Sequence, residues 1–317
     1  MKIAHLENAL SHVTSQLLGR SLPVPHPVQA GVFDACSLYQ QSAGYLTDLI
    51  LEHLHGHAKM PAWAQAVYHK LSGRFIDVVK TLYEHVDCVQ QYGGLYLLFS
   101  DERYPEKLRH IPHPPVALTL LGSSALLERP KIAIIGSRKA SAYALFETEK
   151  LATWISDRRI VIVSGCAYGC DQAAHQGAIN SGLCPIPSIT VIPGGFERLG
   201  PAVTSALQRT LLEGGAVFVS ERLWWSQAQA RDFVMRNRII SGLCHELLIM
   251  QAEERSGSMS TARHALDQGC QIYVLRHPSQ DARACGSKKL IEEGAVAIDG
   301  AEDFFLKVLL DKHSSVN

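Results

Sequence analysis

The sequence predicts an α/β protein with a doubly wound, mostly parallel β-sheet and an N-terminal helical domain. Three observations predict it. Short apolar runs of strand length recur at 131–135, 160–163, 189–192, 216–219, 246–250, 271–275 and 295–298. Helical segments lie between most of them, at 141–156, 171–180, 201–213, 256–268 and 286–293. Glycine- or serine-bearing loops follow several of the strands. Repetition of strand, loop and helix makes a parallel sheet covered on both faces, an extended Rossmann-like arrangement. Ligands then belong beyond the C-terminal strand ends, near a reversal of strand order.

Along the chain, residues 1–92 read as the helical domain. Leu46, Ile50 and Leu54 fall at helical spacing within 43–55. Pro61 suits a first helical turn, and Ala64, Val67, Leu71, Phe75, Val78, Val79, Leu82 and Val86 continue as an apolar face, with a break expected at Gly73. His53, His55, His57 and His69 gather loosely here, but no Cys or carboxylate pattern completes a metal site. Residues 93–130 read as an extension packed on the core, with a strand at 93–99 and a Pro-broken segment at 100–118. The Rossmann-like domain spans 131–305, and 306–317 form a C-terminal tail.

Thirty Lys and Arg balance thirty Asp and Glu among 317 residues. That argues against a cationic coat for nucleic acid but allows a local basic patch. His5, Glu7 and Asn8 interrupt any signal-peptide core, and no run approaches the roughly 18 apolar residues of a membrane span. The eight cysteines are spread along a chain with a full core, which reads as reduced thiols in a cytoplasmic protein.

Five loops carry candidate chemistry. Gly136-Ser137-Arg138-Lys139 joins a strand to a helix, where free N–H groups favour an anion. The stretch from Arg129 to Phe146 has four basic residues and no acid. Neither GxGxxG nor GxxxxGK[ST] is present. The second loop contains Ser164, Gly165, Tyr168, Gly169 and Asp171. Its glycines allow close backbone approach, Tyr168 offers a ring for stacking, and Asp171 is placed to cap the next helix. Cys166, Cys170, Asp171 and His175 match no strong zinc spacing, and the cysteines read as small buried residues. In the third loop, Gly194 and Gly195 precede Phe196, which either stacks on a base or covers the core. The fourth region sets Arg236, Asn237 and Arg238 after Ser220-Glu221. An arginine there either contacts phosphate or pairs with Glu221. Trp224 and Trp225 offer a stacking platform or a dimer contact. The fifth loop, Ser256-Gly257-Ser258 with Thr261, opens a helix and forms either an anion site or an ordinary cap.

This ordered series resembles the DprA/Smf family of DNA-processing proteins over residues 100–300. The resemblance rests on Gly136-Ser137-Arg138; Ser164-Gly165-x-Ala167-x-Gly169-x-Asp171 with His175; Phe233 and Arg236-Asn237-Arg238-Ile239-Ile240; and Ser256-Gly257-Ser258 with Thr261-Ala262. Tyr104-Pro105 and Leu108 precede the series, and Gly286, Leu290-Ile291 and Gly294-Ala295 complete it. The chain departs from the pattern at Cys170, Leu199-Gly200-Pro201-Ala202-Val203, Arg222, Gln251 and His277-Pro278-Ser279. The resemblance implies a divergent member without the C-terminal winged-helix domain. It also implies non-enzymatic binding of single-stranded DNA, a homodimer, and help in loading a RecA-type recombinase during natural transformation or related recombination. The residues themselves call for no cofactor, no metal and no membrane. On that match Gly136, Ser137 and Arg138 line a DNA pocket.

Two other readings use the same residues. One is a nucleotide sensor or phosphoribohydrolase-like enzyme, with Glu221, Glu253 and Asp171 as candidate acids or bases. The other is a partner-binding scaffold that does not depend on the Arg138 side chain.

Overall fold

The computed structural model describes residues 75–99, 101–197 and 206–314. The expected helix at 43–55, the start of the helix from Pro61, the histidine cluster and the end of the third loop lie outside them. The elements run α1 (Phe75–Gln91), β1 (Leu95–Leu98), α2 (Glu106–Arg109), β2 (Ala117–Leu121), a 3₁₀ turn at Ser124–Leu127, β3 (Lys131–Ile135), α3 (Ala142–Asp157), β4 (Val161–Ser164) and α4 (Cys170–Asn180). They continue with β5 (Ser188–Val191), α5 (Ala206–Glu213), β6 (Val217–Ser220), α6 (Ala230–Gly242), β7 (Glu246–Ile249) and α7 (Gly257–Asp267). Last come β8 (Gln271–Leu275), a second 3₁₀ turn at Ala282–Ala284, α8 (Cys285–Glu292), β9 (Val296–Ile298) and α9 (Ala301–Ser314).

One nine-stranded sheet has the order β1-β2-β6-β5-β4-β3-β7-β8-β9. From β6 to β9 all neighbours are parallel; β2 pairs antiparallel with β6, and β1 antiparallel with β2. Strand alternation separates two cores. Ile132 and Ile134 face one layer, with Leu82 of α1, Leu151 of α3, Ala174 of α4 and Phe304 of α9. Ala133 and Ile135 face the other, with Leu108 of α2, Ile240 of α6, Met259 of α7 and Leu290 of α8. Helices thus cover both faces, as the apolar strand runs predict.

Local chemistry explains the element ends. Ser141 caps α3, its hydroxyl accepting from the Ala144 N–H at 3.2 Å. On α1, Leu82, Val86 and Val89 repeat at helical spacing and are buried. His85 shares that face. Its Nδ1 accepts from the Trp224 N–H at 3.0 Å, and its Nε2 lies 3.1 Å from the Thr119 hydroxyl.

Three elements differ from the sequence reading. The Pro-broken segment contains helix α2 and then strand β2, because Pro112, Pro114 and Pro115 all precede the strand, where their missing N–H groups cost no ladder bonds. The segment 230–242, which is not among the helices the sequence predicts, is α6. The C-terminal segment forms α9 out to Ser314.

The topology positions the site. β3 has β4 on one side and β7 on the other, so the chain winds away from β3 in both directions. A crevice opens where two neighbouring strands send their following helices to opposite faces.

Candidate functional site

A cavity of about 690 Å³ occupies this crevice. Its walls come from four elements distant in sequence. The loop after β3 supplies Gly136, Ser137, Arg138 and Lys139; the loop after β4 and the first turn of α4 supply Ala167 and Asp171. Helix α6 supplies Ala230, Phe233, Val234, Arg236, Asn237 and Ile240. The turn after β7 and the first turn of α7 supply Glu253, Ser256, Gly257, Ser258 and Thr261. Three cations therefore line the cavity against two carboxylates, one of which, Asp171, is buried.

The first two loops interlock. Ser137 accepts the Lys139 N–H on its hydroxyl at 3.1 Å and the Cys170 N–H on its carbonyl at 3.2 Å. Gly169 has a φ of +82°, and a Cβ there would fall 2.2 Å from the Ser137 carbonyl oxygen, so only glycine fits. Arg138 and Lys139 are exposed at the mouth. The Arg138 guanidinium sits 5.8 Å from the Phe233 ring centroid, within cation–π range.

Arg236 forms the floor. It is 5% exposed, and its Nη1 donates to the Gly165 carbonyl at 2.9 Å and to the Val191 carbonyl. Its buried Nε has no partner. Burial disfavours its charge, while the nearby Asp171 carboxylate supports it. Burial likewise pushes the Asp171 carboxyl up, opposed first by Arg236 and then by backbone N–H groups of Ala167, Gly136 and Gly165. Asp171 does not cap α4. Gly169 holds the N-cap position, and Asp171 accepts the Ala167 N–H at 3.2 Å.

The start of α7 remains open. Ser256 is its N-cap residue, but its hydroxyl donates to the Glu253 carbonyl at 2.7 Å and caps no N–H. A Cβ on Gly257 would meet nothing within 4 Å. Uncapped N–H groups at a helix start, beside two exposed cations, are suited to an oxyanion.

Other expected site residues lie away from the cavity wall. Ser164 donates to the Ile134 carbonyl at 2.6 Å, fastening β4 to β3. Tyr168 is 64% exposed outside the cavity. The Gly195 N–H donates to the Ser226 carbonyl at 2.8 Å, and Gly194 accepts from the Ser220 hydroxyl at 2.7 Å. Phe196 is buried and stacks on Trp224, with centroids 5.4 Å apart, so it covers the core. Trp224 is itself buried and also meets Tyr92. Arg238 pairs with Glu221 at 2.5 Å and is 8% exposed.

The thiols of the second loop are buried and neutral: Cys166 is pushed up to about 11 and Cys170 to about 12. Burial drives His175 down to about 3, and its Nδ1 lies 2.7 Å from the Ser188 hydroxyl. Among the described residues no group of three or more His, Cys, Asp or Glu side chains could hold a metal ion. No helix among them is long and apolar enough to cross a membrane. Sequence reasoning did not name Ala230 and Val234 as wall residues. Ala230, Phe233, Val234 and Asn237 share one face of α6, a grouping that shows only once the segment is known to be helical.

Comparison with known proteins matches this arrangement. DNA processing protein DprA of Bacillus subtilis is 37% identical over 207 residues, covering 65% of this chain and 68% of that protein. The Streptococcus pneumoniae DprA is 34% identical over 203 residues, 64% of this chain and 70% of that protein. The X-ray structure of DNA processing protein A from S. pneumoniae superposes with a TM-score of 0.65 at 27% identity, covering 87% of this chain and 98% of that one. The Helicobacter pylori DNA processing protein A, solved for its single-stranded DNA binding mode, gives a TM-score of 0.61 at 28% identity over 69% and 97%. The family model for DNA recombination-mediator protein A matches residues 95–309, so the chain belongs to that family, the DprA/Smf proteins.

Proposed function

We propose that this protein binds single-stranded DNA in the β3/β7 crevice, without catalytic turnover. The observation that carries the reading is the juxtaposition of two exposed cations, an open helix start and an aromatic ring around one cavity. Arg138 and Lys139 meet phosphates at the mouth. The uncapped N–H groups of α7 donate to a phosphate within. Phe233, 38% exposed beside Arg138, gives a base a face to stack on. A single strand brings both phosphates and unstacked bases; a duplex hides its base faces. The single-stranded DNA binding mode of the H. pylori relative supports the same reading.

Helping to load a RecA-type recombinase, and acting as a homodimer in the cytoplasm, extend this proposal along the family resemblance. Two crevices on one dimer would raise avidity for a long strand.

The nucleotide-hydrolase reading has less support. Glu221 is held by Arg238, and Asp171 by backbone N–H groups above Arg236. Glu253, exposed at the cavity edge, has no nucleophile indicated beside it.

Titration of a fluorescent oligonucleotide across length and salt, with a duplex of equal length alongside, tests the proposal. Single-strand preference and a steep salt slope are expected. Equal binding of duplex, or none at low salt, would overturn it.

A further inference from the structure

Lys107 of α2 makes contacts unusual for a lysine. Its Nζ donates to the Cys270 thiol at 3.0 Å and to the Cys244 carbonyl, and it is half-buried. Among the described residues it has no carboxylate partner, whereas a lysine amine ordinarily seeks one. Cys270 is 7% exposed, at the entry to β8, and its thiol also meets the Cys244 carbonyl at 3.2 Å. The amine is thus held in place from two directions, with the sulfur atom in its first contact shell.

We propose that Lys107 and Cys270 form a covalent, oxidant-dependent bridge, Nζ–O–Sγ. The 3.0 Å separation is too long for a direct S–N bond and leaves room for one bridging oxygen. Dioxygen is the co-reactant, small and apolar enough to reach a nearly buried thiol. In the balanced step, the thiol, the neutral amine and one dioxygen give the bridge and one water. The S–H bond and one N–H bond break, S–O and O–N bonds form, and both hydrogens leave in the water. Sulfur and nitrogen each lose two electrons, and dioxygen takes up four. A thiol reductant returns four electrons to restore thiol, amine and water.

The bridge joins residues 163 apart in the sequence, fastening α2 to the start of β8. Cys244 follows the C-cap residue Leu243 of α6, so the same cluster braces the end of the helix that carries Phe233 and Arg236. The inference does not depend on DNA binding.

The test is mass spectrometry of the full chain after incubation in air-saturated and anaerobic buffer, with peptide mapping. The expected product is about 14 Da heavier, for one oxygen gained and two hydrogens lost. It should join the peptides containing Lys107 and Cys270 and disappear with dithiothreitol. Lys107→Arg keeps a donor to the carbonyl but should abolish the product, as should Cys270→Ser. Cys244→Ser should leave it intact. Absence of the linked peptide in air would overturn the proposal. A species about 2 Da lighter that persists in Lys107→Arg would also overturn it, because it would be a Cys244–Cys270 disulfide.

Discussion

Arg236 and Gly165 are fitted to each other. The Arg236 Nη1 donates to the Gly165 carbonyl at 2.9 Å, and a Cβ at position 165 would lie 2.4 Å from that same nitrogen. The absence of a side chain at 165 is what lets the guanidinium lie under the cavity. Gly165→Ala should therefore displace Arg236 from its carbonyls and destabilise the fold by about 1–3 kcal/mol. Urea unfolding measures the loss, and oligonucleotide affinity should fall with it.

Arg138→Ala should behave differently, because Arg138 is exposed and supports no core. Its unfolding midpoint should stay within about 0.5 kcal/mol of wild type. Binding to single-stranded DNA should weaken, and the slope of log affinity against log salt should become shallower by about one. An unchanged slope would place the phosphates elsewhere.

Glu221→Gln leaves Arg238, 8% exposed, without its countercharge. The expected cost is about 2–3 kcal/mol, below the fully buried range because Glu221 remains 20% exposed. Chemical denaturation of the variant at neutral pH checks it.

His175 makes stability depend on pH. Its folded pKa, near 3, lies below the unfolded value of about 6.5. Between those values the unfolded chain binds the extra proton, so stability falls as pH drops below about 6.5, by up to ~1.4 kcal/mol per pH unit. Asp171, whose folded pKa is raised, works in the opposite direction near its own range. Subtracting the profile of His175→Gln from that of wild type isolates the histidine. A flat difference between pH 7.5 and 5 would contradict the prediction.

Sequence patterning located the parallel strands because their apolar runs have strand length and are buried on both faces. It found the first, second and fifth loops, since glycine and serine at strand ends mark turns. Helix α6 escaped it for a physical reason. Its buried face carries Asp232, Arg236, Asn237 and Arg238, which are held by Arg222, backbone carbonyls and Glu221. A polar face buried through pairing has no apolar period to detect. The third loop misled because Gly194 and Gly195 look poised to approach a ligand, yet they pair with the segment around Ser220 and Ser226. The ion pair of Glu221 with an arginine was legible as one of two alternatives, and the structure selects Arg238.

The adjacency of β3 and β7 has a consequence during synthesis. The two strands that flank the crevice end at Ile135 and begin at Glu246, so the ribosome must deliver more than a hundred intervening residues before they can meet. While β3 through β6 assemble, the outer edge of β3 remains unpaired, and the crevice has only one side. On the proposed reading, a nascent chain at that stage lacks the second wall needed to grip a strand of nucleic acid. Emergence of β7 and α7 closes the edge and completes the crevice together, so competence to bind is acquired late, as the product of long-range closure.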